Sequence, residues 1–105
     1  MIISLFVVSS FAIADNQVKI LILGDSLTQG YGLEEKSGMV PVLQRWLSSN
    51  ETDVLLINGG VSGDTTLGGL ERLDWLLTPD IDGVVVALGG NDLLRGFDPV
   101  FTKNN

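Results

Sequence analysis

The sequence predicts an α/β domain built on a parallel β-sheet, and three observations carry that expectation. Three short aliphatic runs stand at residues 18–23, 54–57 and 83–88. Segments with helical periodicity separate them. Each aliphatic run ends in a polar stretch that contains glycine. Continuous apolar runs, unlike alternating ones, mark strands buried on both faces, and strands separated by helices pair in parallel.

The elements follow in order. Residues 18–23 lie between the polar Asn16-Gln17 and Gly24, and read as a buried strand. Residues 24–32 form a glycine-bearing loop with room for a helical turn. Met39, Val42, Leu43, Trp46 and Leu47 then recur at i, i+3, i+4, i+7 and i+8, the stripe of an amphipathic helix. Ser37 is placed to cap it, and Pro41 fits only in its first turn. Residues 54–57 form the second strand, and the loop at 58–64 holds Gly59, Gly60 and Gly63. Asp64 or Thr65 can cap a second helix, whose apolar face is Leu70, Leu73, Leu76 and Leu77. Pro79 sits just past its end. Residues 83–88 are the third strand, broken by Gly89-Gly90-Asn91-Asp92. Residues 97–105 show no strong pattern beyond the start of a further helix. Trp46 and Trp75 fall on helical segments and read as packing residues.

Composition narrows the chemistry. The chain has 105 residues, 45% of them hydrophobic, enough to bury a core. Six basic and thirteen acidic residues give a formal charge of −7. That balance argues against nucleic acid and anionic membrane as partners, since both need a basic footprint. There is no cysteine, so disulfides, thiolate nucleophiles and cysteine zinc sites are excluded. There is also no histidine, so a Ser-His-Asp triad cannot be assembled from these residues alone.

The N-terminus reads as an export signal over residues 1–14. The apolar run from Ile2 ends in Ala12-Ile13-Ala14, a small-x-small cleavage pattern, and polar Asp15-Asn16-Gln17 follows. A charged n-region is lacking, which leaves a buried first strand or an ordinary hydrophobic terminus as the alternatives. The run is shorter than the roughly 18 apolar residues of a membrane span. Cleavage near Ala14 would start the mature domain, residues 15–105, in the periplasm or outside the cell, with no stable membrane insertion.

The polar segments carry the chemistry. Parallel strands bring Gly24-Asp25-Ser26-Leu27-Thr28, Asn58-Gly59-Gly60-Val61-Ser62-Gly63-Asp64 and Gly89-Gly90-Asn91-Asp92 to one sheet edge, where open α/β sheets bind ligands. Each has a bland reading as well. Ser26 can cap the turn after the first strand, Gly63 can be a turn glycine, and Asn91 and Asp92 can close a turn locally. Asp25 reads as a structural acceptor of backbone N–H groups.

Taken together the three segments resemble the first three motif blocks of the SGNH (GDSL-type) hydrolases. Gly24-Asp25-Ser26-Leu27 is similar to the first block, Gly63 in Val61-Ser62-Gly63-Asp64-Thr65-Thr66 to the second, and Gly89-Gly90-Asn91-Asp92 to the third. Leu70-Glu71-Arg72-Leu73 and the stretch from Leu93 to Pro99 resemble the arylesterase, thioesterase I and lysophospholipase branch. The resemblance implies a three-layer, flavodoxin-like parallel sheet of order 2-1-3-4-5, here truncated after the third strand. It implies Ser26 as nucleophile, with the Ser26 and Gly63 backbone N–H groups and the Asn91 side-chain amide as an oxyanion hole. It implies small-molecule acyl esters or thioesters as substrates, and no cofactor or metal.

The family's fourth block, a late Asp-x-x-His, is absent, so the 105 residues themselves are expected to be inactive. The third strand is then expected at a sheet edge, where apolar residues 84–88 invite aggregation. Two other readings compete. One is a non-enzymatic α/β module holding phosphate or another anion at a helix N-terminus, although neither P-loop nor G-x-G-x-x-G spacing is present. The other gathers Asp25, Asp64 and Asp92 around Mg²⁺. No oligomeric state follows from the sequence.

Overall fold

The structure, a computed structural model, describes residues 17–105; the signal-peptide expectation for residues 1–14 lies outside them. The elements are β1 (Val18–Gly24), α1 (Ser26–Gln29), a 3₁₀ turn (Glu35–Ser37), α2 (Met39–Ser49), β2 (Val54–Gly60), α3 (Thr66–Leu76), β3 (Gly83–Ala87), α4 (Gly90–Leu94) and α5 (Pro99–Asn104). The sheet order is β2-β1-β3 and both pairings are parallel. Gly24 stands opposite Gly60 on one side and Ala87 on the other, so the three strands finish level. That register brings the three polar segments to one edge, as the sequence predicts.

The core lies on the central strand. Leu21, Ile22 and Leu23 are at most 3% exposed although they point alternately to opposite faces, so both faces of β1 are covered. Burying each such side chain is worth about 1.5–3 kcal/mol. One face is closed by α3. Gly69 on α3 comes so near the sheet that a Cβ there would fall 3.5 Å from Leu23 Cδ2.

On α2 the expectation fails in part. Its N-cap is Gly38, because Ser37 belongs to the preceding 3₁₀ turn, and Pro41 does fall in its first turn. Val40 supplies its buried contact, while Met39, Val42, Leu43 and Trp46 stay exposed. Gln44 accounts for the placement. Its Nε2 donates to the Val54 carbonyl at 2.8 Å, and its Oε1 accepts from the Leu56 N–H at 2.7 Å. Gln44 thus stands in for a neighbouring strand on the outer side of β2 and satisfies part of that edge. Trp75 is likewise exposed, so neither tryptophan packs in the core described.

Strand β2 runs three residues further than expected, through Gly60, and α4 forms where the sequence suggests only a break. Strand β3 pairs with β1 alone, and Val85 and Val86 are 50% and 64% exposed. No helix among the described residues is long and apolar enough to cross a membrane.

Candidate active site

The loop after β1 is short because a helix starts at once. Asp25 is the N-cap of α1; its Oδ1 accepts from the Leu27 N–H at 3.0 Å, the structural role the sequence suggests for it. Ser26 is therefore the first helical residue. Its backbone N–H has no acceptor within the helix and none elsewhere among the described residues. Gly30, in the left-handed region, ends the helix after one turn, its N–H returning to the Ser26 carbonyl.

The second loop, residues 61–65, is held at nearly every main-chain group. The Val61 N–H donates to the Gly24 carbonyl at 3.0 Å, which joins the ends of β2 and β1. The Ser62 N–H donates to Gln29 Oε1 on α1 at 2.9 Å. Asp64 N–H turns back to the Val61 carbonyl, Thr65 N–H bonds Asp64 Oδ1, and Thr66 N–H bonds Asp92 Oδ1. The carbonyls of Gly63 and Asp64 are taken by Arg95 Nη2 and Asn91 Nδ2, both at 2.8 Å. The Gly63 N–H is the exception; no acceptor among the described residues takes it. Gly63 has φ +78°, a conformation that glycine adopts without the penalty a Cβ carries.

The third loop turns through Gly89 at φ +118° into α4. A Cβ on Gly90 would lie 3.8 Å from Asp25 Oδ2, so this loop abuts the first. Asn91 does not close its own turn. It reaches the second loop, and the Asp64 carbonyl, which only accepts, sets Nδ2 on that side. The second N–H of Nδ2 remains to donate. Thus the structure joins the loops of Ser26, Gly63 and Asn91 by direct bonds.

Asp92, whose role sequence reading confines to a local turn, is a long-range anchor instead. It is 2% exposed, and its carboxylate accepts from the Thr66 N–H and hydroxyl and from the Thr102 hydroxyl. The hydroxyl of Thr66 is the main cause that holds its pKa below the ordinary carboxylate value, against the opposing effect of burial. It ties α4 to the start of α3 and to α5.

Two arginines brace the loops from outside the residues that the motifs mark. Arg95 holds the Gly63 carbonyl, and Arg72 on α3 donates to the Asp64 carboxylate and to the carbonyls of Gly59 and Gly24. Apart from the Asp64 carboxylate, their targets are main-chain oxygens made adjacent by the fold, which no local sequence pattern encodes.

The competing readings fit the geometry less well. Asp25, Asp64 and Asp92 do not converge; each is committed to donors of its own, and no group of three potential metal ligands occurs among the described residues. The anion-module reading needs a free helix N-terminus after β1. Here α1 has four residues, and the Asp25 carboxylate already occupies its start, where its charge opposes a second anion.

Comparison with known proteins finds relatives of this chain. The GDSL-like Lipase/Acylhydrolase family matches residues 22–105. An arylesterase of Vibrio mimicus is 48% identical over 90 residues, covering 82% of this chain and 44% of its own length. The thioesterase 1/protease 1/lysophospholipase L1 of Escherichia coli K12 is 42% identical over 86 residues, covering 80% of this chain and 39% of its own. The crystal structure of AlinE4, an SGNH-hydrolase family esterase, superposes with a TM-score of 0.79 at 42% identity, covering 85% of this chain and 49% of that one. This chain spans less than half the length of these relatives.

Proposed function

The chain belongs to the GDSL-like lipase/acylhydrolase family, and from that premise we propose that the whole protein hydrolyses acyl esters or thioesters through an acyl-enzyme on Ser26. Ser26 Oγ attacks the carbonyl carbon, and the carbonyl oxygen takes up negative charge. Donors already in place stabilise that charge without reorganising. The Ser26 N–H, the Gly63 N–H and the second N–H of Asn91 Nδ2 serve as those donors.

One observation carries the reading. From Val61 to Thr66 each backbone N–H finds an acceptor among the described residues except that of Gly63. Gly63 is only half-buried, so its N–H is within reach of a partner from outside the loop. A loop so fully bonded around one free donor is suited to an acceptor that arrives with the substrate.

The proton of Ser26 needs a base, and the 105 residues contain no histidine. Turnover is therefore assigned to the whole protein, with its base outside these residues, and the 105 residues alone are expected not to turn over substrate. The relatives are an arylesterase and a thioesterase/lysophospholipase, which supports small acyl esters and thioesters as the substrate class. Residues 1–14 as a cleaved signal place the mature domain in the periplasm or outside the cell.

Labelling the whole protein with a fluorophosphonate tests this. The adduct is expected on the peptide that contains Ser26, with loss of esterase activity in step with labelling. Ser26→Ala should abolish both. An enzyme that stays active after Ser26→Ala would overturn the assignment.

A further inference from the structure

We propose that Arg72 is a positioning residue for acyl transfer, its guanidinium holding the nucleophile loop and the Gly63 loop at a fixed separation; the proposal rests on the reading of Ser26 and Gly63 given above. Arg72 lies in the middle of α3 and its side chain is 13% exposed. Its Nη2 donates to the Gly24 carbonyl at 2.9 Å, its Nη1 to the Gly59 carbonyl at 2.7 Å, and its Nε to Asp64 Oδ2 at 2.7 Å. Gly24 is the last residue of β1, two before Ser26. Gly59 is near the end of β2. Asp64 directly follows Gly63.

The arrangement is one rigid plane joined to three segments of chain. A guanidinium presents its donors in a fixed fork, so it sets distances between its acceptors as well as satisfying them. A lysine offers a point charge on a flexible stem and cannot bridge the same three oxygens. The link extends to the third loop, because the Asp64 carbonyl takes Asn91 Nδ2 while the Asp64 carboxylate takes Arg72. Arg72 therefore bears on each proposed donor without approaching a substrate itself. A displacement of about 1 Å among reacting groups can cost on the order of 10²-fold in rate.

The test is the kinetics of Arg72→Lys in the whole protein on an aryl ester, with active sites titrated by fluorophosphonate and folding checked by near-ultraviolet circular dichroism. The expected result is a kcat lower by roughly 10- to 100-fold per titrated site, with KM within about twofold. An unchanged kcat per site, with only a lower melting temperature, would make Arg72 a stabilising residue and overturn the proposal. If Arg72→Lys does not fold, Asp64→Asn weakens the same link from the other side and keeps the two carbonyl bonds. It should lower kcat by about tenfold with KM held, and an unchanged kcat there is equally decisive against the proposal. Ser26→Ala in parallel separates the two ideas, since activity surviving in that variant removes the reading of the site whatever Arg72 does.

Discussion

The Asn91 side-chain amide donates to the main-chain carbonyl of Asp64 over 2.8 Å, so the loop after β3 grips the loop after β2 across the end of β1. This bond fixes which end of the amide faces the second loop and leaves the other N–H of Nδ2 to donate elsewhere. Asn91→Asp turns that donor into a carboxylate oxygen facing a carbonyl oxygen. Such a change costs both the bond and the charge balance of the site. In the whole protein it should lower kcat by roughly 10²–10³-fold, the usual range for a lost oxyanion donor. Asn91→Ala should lower kcat similarly but destabilise less, because no charge is left facing the carbonyl. Steady-state kinetics and thermal melts of both variants check this.

Gly63→Ala tests backbone conformation apart from crowding. The nearest neighbour of an added Cβ is Arg95 Nη2 at 3.9 Å, ordinary contact, so there is room for the methyl group. The obstacle is the φ of +78°. An L-residue there costs roughly 1–2 kcal/mol. The variant should fold with a stability lower by about that amount in chemical denaturation. Its activity should fall more than its stability explains, because relaxing φ turns the free N–H of Gly63.

Gly60→Ala makes the opposite case. A Cβ at Gly60 would stand 2.2 Å from the Gln29 N and 2.7 Å from its Cα, which are backbone atoms that cannot swing aside. Either β2 or α1 must move, and α1 begins with Ser26. The expected loss is at least about 1–3 kcal/mol, the range for overpacked interiors. A variant as stable and active as the parent would mean that α1 is not seated on β2 as described.

The order of these elements was legible because aliphatic runs and glycines report local needs. Residues 20–23 are aliphatic because β1 is covered on both faces, and Gly60 at the end of β2 permits close approach to α1. Asp25 was legible too, since a cap bonds its own helix. Asp92, Arg72 and Gln44 were not. Their residue types suggest solvent-facing positions, whereas their partners lie 26 residues away for Asp92 with Thr66, and 48 for Arg72 with Gly24. Pairings that distant follow from strand order, which single-residue patterns do not report. The stripe of α2 misled for a related reason. Its periodicity does form a helix, but Gln44 ties that helix to the outer side of β2, with Met39, Val42, Leu43 and Trp46 exposed.

Asp92 gives the fold a dependence on acid. Its carboxylate accepts from Thr66 and Thr102, and the Thr66 hydroxyl is the main cause of a pKa below the ordinary value of 3.8. A carboxyl that is more acidic folded than unfolded binds fewer protons in the native state. Its contribution is thus fully present above the unfolded pKa and is lost as pH falls through the lower folded value. Above pH 5 the contribution should be flat, and below pH 4 it should decline. Removing the Thr66 hydroxyl with Thr66→Val should bring the Asp92 pKa back up and shrink this acid-side term. Asp92→Asn should remove it, so that parent and variant differ most near neutral pH and approach each other toward pH 3. Thermal melts of the whole protein between pH 3 and 7 measure the gap directly. A gap that stays constant over that range would mean that the contribution of Asp92 comes from its shape and hydrogen bonds, with its charge playing no part.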